Sequence, residues 1–251
     1  MYAAKYRIWR TEGLKECDGV IVGSDQTQEW ILPWWWAHYR KTNTHPVTFV
    51  DFGLTEEKKQ WCRDRGELIH LPVAHIFVAE QEEVAPHDIA DWEKQFGPRV
   101  WQARTAWFKK PLACLQSPFR RSLWLDIDCE IRTSIAPLFE ACDHPSGIAM
   151  AKDLVAPKLE YPTYNSGVVA FRRGLPLIEE WATQVFERNR TFGGDQEILS
   201  KLIAEKDLQI SQIHGHWNWS RCCGPHDEAN IFHWHGDNGR AVIRQQLNGG
   251  L

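Results

Sequence analysis

Apolar and polar positions follow two rhythms along this chain: short apolar runs closed by turn residues, and longer stretches with helical spacing. Residues 20–22 form a buried-strand pattern that stops at Gly23, Ser24 and Asp25, and residues 30–39 follow with helical spacing interrupted by Pro33. The theme then repeats. Residues 47–50 read as a strand ending at Asp51, Gly53 makes the turn, and Thr55 caps a helix that carries Glu56 and Glu57 in its first turn and ends near Gly66. Residues 68–71 predict a third strand, closed by Pro72, and residues 79–98 form a polar, acidic excursion with one helix over 87–96. Helical character returns over 104–115, before Leu123, Trp124 and Leu125, the most apolar short run in the middle of the chain. Strands over 148–151 and 168–171 and helices over 177–188 and 195–203 complete the pattern. Such alternation predicts an α/β fold with a mostly parallel central sheet flanked by helices. No linker or composition break interrupts it, so a single domain over residues 1–251 is expected, with about 1–17 as an N-terminal extension.

Composition narrows the function classes. A chain of 251 residues can bury a sizeable core without staples. Its formal charge of -4 gives no reason to expect nucleic acid or a membrane surface as partner. The seven cysteines are odd in number and irregularly spaced, and no secretory signal is visible, which points to a reducing, cytoplasmic compartment. No apolar stretch reaches the ~18 residues of an integral membrane segment. Oligomeric state is not legible, and a monomer is the default. Most of the 14 tryptophans are expected in the core, with a few free to stack on sugar rings.

The candidate chemistry sits at the end of the central apolar run. Residues two apart in a strand point to the same side, so Asp126 and Asp128 present both carboxylates together, with Ile127 and Cys129 facing the other way. Ligands of open α/β sheets bind beyond the carboxyl ends of the strands, where this pair lies. Two carboxylates aimed together call for a cation, typically a hard divalent ion completed by water and substrate phosphates. A phosphatase of the haloacid dehalogenase type also places Asp-x-Asp after an apolar strand, but it wants a small hydroxyl or apolar residue where Glu130 stands.

The segment from Leu123 to Phe139, Leu-Trp-Leu-Asp-Ile-Asp-Cys-Glu-Ile-Arg-Thr-Ser-Ile-Ala-Pro-Leu-Phe, resembles the core of family 8 glycosyltransferases. Tyr164-Asn165-Ser166-Gly167-Val168 is similar to that family's Asn-x-Gly strand, Gly194-Asp195-Gln196 to its Asp-Gln helix start, and His233-Trp234-His235-Gly236 to its closing His-x-x-Gly. Order along the chain agrees, and coverage runs from about residue 18 to about 240 as scattered motifs.

The resemblance implies a GT-A fold that moves a hexose, with retention, from a nucleotide-sugar, usually a UDP-sugar, to a glycan or other hydroxyl acceptor. It implies Mn2+, or Mg2+, on Asp126, Asp128 and His233, with His235 as the alternative imidazole. Gly23, Ser24, Asp25 and Asp51 would face the nucleoside. Asn165 would line the sugar or acceptor pocket, Asp195 would bind donor-sugar hydroxyls, and Gln196 would lie against the anomeric carbon. Gly236 would meet the diphosphate. Two departures stand out. The family usually carries Lys three residues after that glycine, where this chain has Gly239 and then Arg240, so Arg240 is expected to take over the charge. A basic residue on the helix before Asp126 commonly contacts the donor; Arg104, Lys109 and Lys110 compete, and Lys109 is preferred. A structural zinc on Cys222, Cys223, His226 and His233 is a rival, although adjacent cysteines rarely share one ion. A non-catalytic nucleotide-sugar binding module is another.

Overall fold

The computed structural model describes residues 9–71, 78–155 and 160–250. Residues 1–8 of the expected extension, and Pro72, lie outside them. In chain order the elements are β1 (Lys15–Ser24), α1 (Leu32–Thr42), β2 (Val47–Asp51), α2 (Glu56–Arg63), β3 (Glu67–His70), α3 (Pro86–Phe96), α4 (Val100–Leu115), β4 (Phe119–Leu125) and β5 (Cys129–Ile131). They continue with α5 (Ala136–Ala141), β6 (Ile148–Lys152), β7 (Tyr164–Arg172), α6 (Pro176–Glu187), α7 (Asp195–Glu205), β8 (Ser211–Ile213), β9 (Trp219–Ser220), β10 (Ile231–His233) and α8 (Gly236–Asn248).

Among the described residues seven strands form the main sheet, in the order β3-β2-β1-β4-β7-β6-β8. β7 runs antiparallel to both of its neighbours, and the other pairings are parallel. The chain builds outward from β1 to β3, then returns through α3 and α4 to lay β4 on the other side of β1. That reversal opens a crevice at the carboxyl ends of β1 and β4, the place where such sheets bind ligands.

Side-chain parity sorts the core into two layers. Val20, Val22, Leu123 and Leu125 join Trp34 and Trp35 of α1 on one face, while Ile21 and Trp124 join Phe108 of α4 and Trp181 of α6 on the other. Trp34, Trp35 and Trp181 are fully buried, each removing about 4 to 6 kcal/mol worth of apolar surface from water. Local signals explain the helix starts. Pro33 falls in the first turn of α1, where no backbone hydrogen bond is lost, so it starts the helix instead of interrupting it. Thr55 caps α2 by accepting from the Lys58 N–H at 3.3 Å, while its own N–H and hydroxyl donate to the Glu29 carboxylate.

Past β4 the chain enters a smaller sheet, β5-β10-β9. β10 is antiparallel to β5 with His233 opposite Cys129, and the Trp234 N–H donates to the Asp128 carbonyl at 2.9 Å. This register carries a residue from near the end of the chain back to the Asp-x-Asp segment. No helix among the described residues is long and apolar enough to cross a membrane. All seven cysteines are free.

Candidate active site

A cavity of about 610 Å3 opens at the carboxyl end of β4. Asp126, Asp128, Asn165, Asp195, Gln196, His233, Gly236 and Arg240 all line it. The Asp126 N–H is held by the Gly167 carbonyl at 2.8 Å, and its Oδ1 accepts from the Trp124 indole at 2.7 Å, as expected for residues two apart on one strand face. His233 Nε2 lies 3.1 Å from Asp128 Oδ1 and 3.8 Å from Asp126 Oδ2, so the two carboxylates and the imidazole converge. Burial opposes charge on both Asp128 and His233, but their mutual attraction prevails. The Asp128 carboxyl is held well below the usual range, and the imidazole is pushed above its ordinary value.

The ring of His233 is oriented by a chain of hydrogen bonds rooted in the backbone. The Gly167 N–H donates to Asn165 Oδ1 at 2.9 Å, which fixes that amide. The same oxygen accepts from Asn218 Nδ2 at 2.8 Å, which turns Asn218 Oδ1 toward His233 Nδ1 at 3.0 Å. His233 therefore carries a proton on Nδ1 and presents Nε2 to the carboxylates, as a metal-ligating imidazole does. Gly167 is needed for this contact, because a Cβ there would meet His233 Cε1 at 2.3 Å. His235, the alternative imidazole, bonds Ser220 Oγ at 2.7 Å instead, and burial pushes its pKa down to about 4. Cys129 lies within 4.8 Å of the Asp128 and His233 ligand atoms. Its thiol faces the Gly167 carbonyl, and burial raises its pKa far above the ordinary thiol value, so it remains a protonated core residue.

Lys110, on α4, takes the position expected of Lys109. Its Nζ donates to Ser166 Oγ at 2.9 Å and lies 3.2 Å from Asp126 and 3.5 Å from Asp195. The side chain is 5% exposed, and the two carboxylates outweigh burial to keep it charged. Asp195, the first residue of α7, is buried and accepts from Ser166 Oγ at 2.9 Å; burial raises its pKa. The Gln196 amide is fixed in the same way: Oε1 accepts from the Ser166 N–H at 3.1 Å and Nε2 donates to Asp153 Oδ2 at 2.6 Å. Asp153, just beyond β6, also lines the cavity. Neither it nor Asn218, Ser166 or Arg221 was singled out by the motifs; for Asp153 the available signal was its place at the end of an apolar strand.

Gly23, Ser24, Asp25, Asp51 and Lys109 do not line this cavity. The group seated over Gly23 is the ring of Phe52, which a Cβ would strike at 2.3 Å, so the small residue makes room for that ring. Ser24 Oγ donates to the Asp25 carbonyl. Asp25 Oδ1 is taken by Thr27 and Gln28, and Asp51 by Gly53, Leu54, His70 and Lys59. Lys109 Nζ donates to the Phe52 carbonyl at 2.8 Å. Arg104 is buried among Trp92, Trp101 and Phe108 and donates to the carbonyls of Ala79, Asn189, Phe192 and Gly193, a structural role. The zinc set does not assemble: the His226 ring packs between His216 and Trp219, while His233 faces Asp128.

No protein-family model and no curated protein sequence matches this chain. Its fold, however, is found in solved structures. The galactosyltransferase LgtC, in complex with donor and acceptor sugar analogs, superposes with a TM-score of 0.55 at 14% identity over 91% of this chain and 93% of its own. The glycosyltransferase GlyE of Streptococcus pneumoniae TIGR4 gives 0.57 at 15% identity over 92% of this chain and 60% of its own. The bifunctional glycosyltransferase WbbM gives 0.60 at 10% identity over 92% and 48%. At such identities the likeness is one of fold: the chain has the GT-A architecture of these glycosyltransferases.

Proposed function

We propose that this protein is a metal-dependent, retaining glycosyltransferase that moves a hexose from a nucleotide-sugar, a UDP-sugar in the first instance, to a hydroxyl of a glycan or other acceptor. The observation that carries this reading is the convergence of Asp126, Asp128 and His233, from elements more than 100 residues apart in sequence, at the strand end where a GT-A fold binds its donor. Two carboxylates and an imidazole whose Nδ1 proton is already committed make a suitable donor set for a divalent ion, and the nitrogen favours Mn2+ over Mg2+. When bound, such an ion supplies positive charge to the departing diphosphate.

The chain's own residues do the rest. Lys110 bridges Asp126 and Asp195 and, with Ser166, holds the Asp195 carboxylate where donor-sugar hydroxyls can donate to it. Gln196 and Asn165, both reaching Asp153, form the wall against which the sugar rests. A neutral carboxamide is a poor nucleophile, so the acceptor oxygen attacks from the face the diphosphate leaves. The anomeric carbon–diphosphate bond breaks as the carbon–acceptor oxygen bond forms, and the acceptor proton passes to the departing oxygen. Trp107, beside Gly194 in the cavity wall, offers a ring on which a sugar can stack.

The test is hydrolysis of UDP-glucose and UDP-galactose in the presence of Mn2+ and no acceptor. Slow donor loss is expected, abolished by chelator and by Asp128→Asn in protein that circular dichroism shows to be still folded at the assay temperature. Loss that ignores both treatments contradicts the proposal. Stabilisation by UDP with no turnover of any donor would identify a binding module instead.

A further inference from the structure

Given the nucleotide-sugar reading above, the cationic lining of the cavity decides how the donor's diphosphate is held. Four cationic side chains line the cavity among the described residues: Arg99, Lys110, Arg221 and Arg240. Three of them are already committed to carboxylates. Lys110 is shared by Asp126 and Asp195, while Arg99 and Arg240 both place Nη1 3.3 Å from Asp237 Oδ1. Arg221 has no carboxylate partner among the described residues.

Its guanidinium is nevertheless fixed. Nε donates to the His235 carbonyl at 2.5 Å. Arg221 opens a short turn whose preceding residue, Ser220, bonds both the Cys222 N–H and the His235 imidazole. The free Nη2 end lies against Gly236, 3.3 Å from where a Cβ would stand. Gly236 has φ +78, a conformation only glycine adopts without strain, so two independent features keep this space open to the first turn of α8. The position three residues after Gly236 cannot supply the charge: a Cβ on Gly239 would lie 1.6 Å from the Trp234 carbonyl oxygen.

We propose that Arg221 is the residue that grips the donor's diphosphate, with its two terminal nitrogens free for a bidentate contact to phosphate oxygens beside the site of Asp126, Asp128 and His233. Arg240, whose Nη1 rests on the exposed Asp237 carboxylate, adds to the positive charge felt by Asp128 and has a supporting place. A rigid fork held by its own Nε loses little side-chain entropy on binding, which is the condition under which an arginine–phosphate contact contributes most.

The experiment is calorimetric titration of UDP and UMP, at saturating Mn2+, into the full chain and its variants. Wild type should prefer UDP. Arg221→Met should weaken UDP by about 10- to 100-fold, the loss of charge-assisted hydrogen bonds, while shifting UMP far less. Arg221→Lys, with charge but no fork, should fall between the two, and a melting temperature for each variant separates this from misfolding. Arg99→Met should leave the UDP-to-UMP ratio at its wild-type value. A ratio unchanged in Arg221→Met, or lost in Arg240→Met instead, would overturn the assignment while leaving the nucleotide-sugar reading standing. Wild type that binds neither nucleotide would bring down both.

Discussion

A single backbone hydrogen lies at the root of the site's chemistry. The Gly167 N–H fixes Asn165, Asn165 fixes Asn218, and Asn218 fixes which nitrogen of His233 faces the carboxylates. Gly167→Ala keeps the N–H but drives a methyl group into the ring. The expected outcome is a loss of about 1 to 3 kcal/mol in stability, as for overpacking of a filled interior, and at least about a tenfold loss of Mn2+ affinity. Thermal unfolding and Mn2+ titration check the two halves; undiminished Mn2+ affinity would show that the placement of His233 does not matter. At this scale the motifs singled out Asp126, Asp128, Asn165, Asp195, Gln196 and His233, which all line one cavity. Strand parity is not what joins the two aspartates, because β4 ends at Leu125 and a turn, closed by the Cys129 N–H on the Asp126 carbonyl, carries Asp128 and brings Cys129 near it. The motifs could not separate Lys109 from Lys110. Neighbouring helix positions point about 100° apart, and α4 is apolar around most of its circumference, with Pro111 inside it, so no polar stripe marks the face that meets the sheet. Asp153 was missed because its meaning lies in Gln196, 43 residues away.

Elements carry a second layer of specification. The long strands β1, β4 and β7 announce themselves by apolar runs, whereas β5, β9 and β10 have two or three residues each, too few for any period to show. Yet those short strands deliver His233. Their pairing is fixed by tertiary register and not by propensity, which is why the closing motif was readable as a motif but not as a strand. The parallel pairing of β1 with β4 is locked by Asp18 and Arg121, directly opposite one another and joined by two hydrogen bonds of 2.8 and 2.6 Å. The guanidinium holds the Asp18 carboxyl below its usual value. A depressed carboxylate stabilises the fold above its unfolded pKa of about 3.9 and ceases to do so as pH falls through the folded value. Asp18→Asn should therefore cost about 1 kcal/mol near neutral pH, with the difference from wild type shrinking below about pH 4. Urea unfolding at several pH values measures this, and a deficit that persists undiminished into acid would mean packing, not charge, is at stake.

The molecule as a whole explains why chemistry is concentrated on one edge. Two apolar layers sandwich the main sheet, and the carboxylates and the imidazole that line the cavity gather where the strands run out. Trp181 joins the two levels: fully buried between α6 and the sheet, it donates its indole N–H to the Asp195 carbonyl at 2.9 Å and so seats the start of α7 in the cavity wall. The abundant tryptophans thus serve mainly as core, and among the described residues Trp107 is the one that lines the cavity. Fold class was legible from the alternation of elements. Gly23, Ser24 and Asp25, read in sequence as facing the nucleoside, lie at the end of β1 outside this cavity, with Phe52 packed on Gly23 and Asp25 Oδ1 bonded to Thr27 and Gln28.

All of this converges on whether one divalent ion binds at Asp126, Asp128 and His233. Titration of Mn2+ followed by electron paramagnetic resonance, with UDP present, reads that directly from the disappearance of the free-ion signal. One tight site per chain is expected in the wild type, weakened by two orders of magnitude or more in Asp128→Asn and in His233→Ala, about 3 kcal/mol each. Equal binding in all three proteins, or none in the wild type, would contradict it.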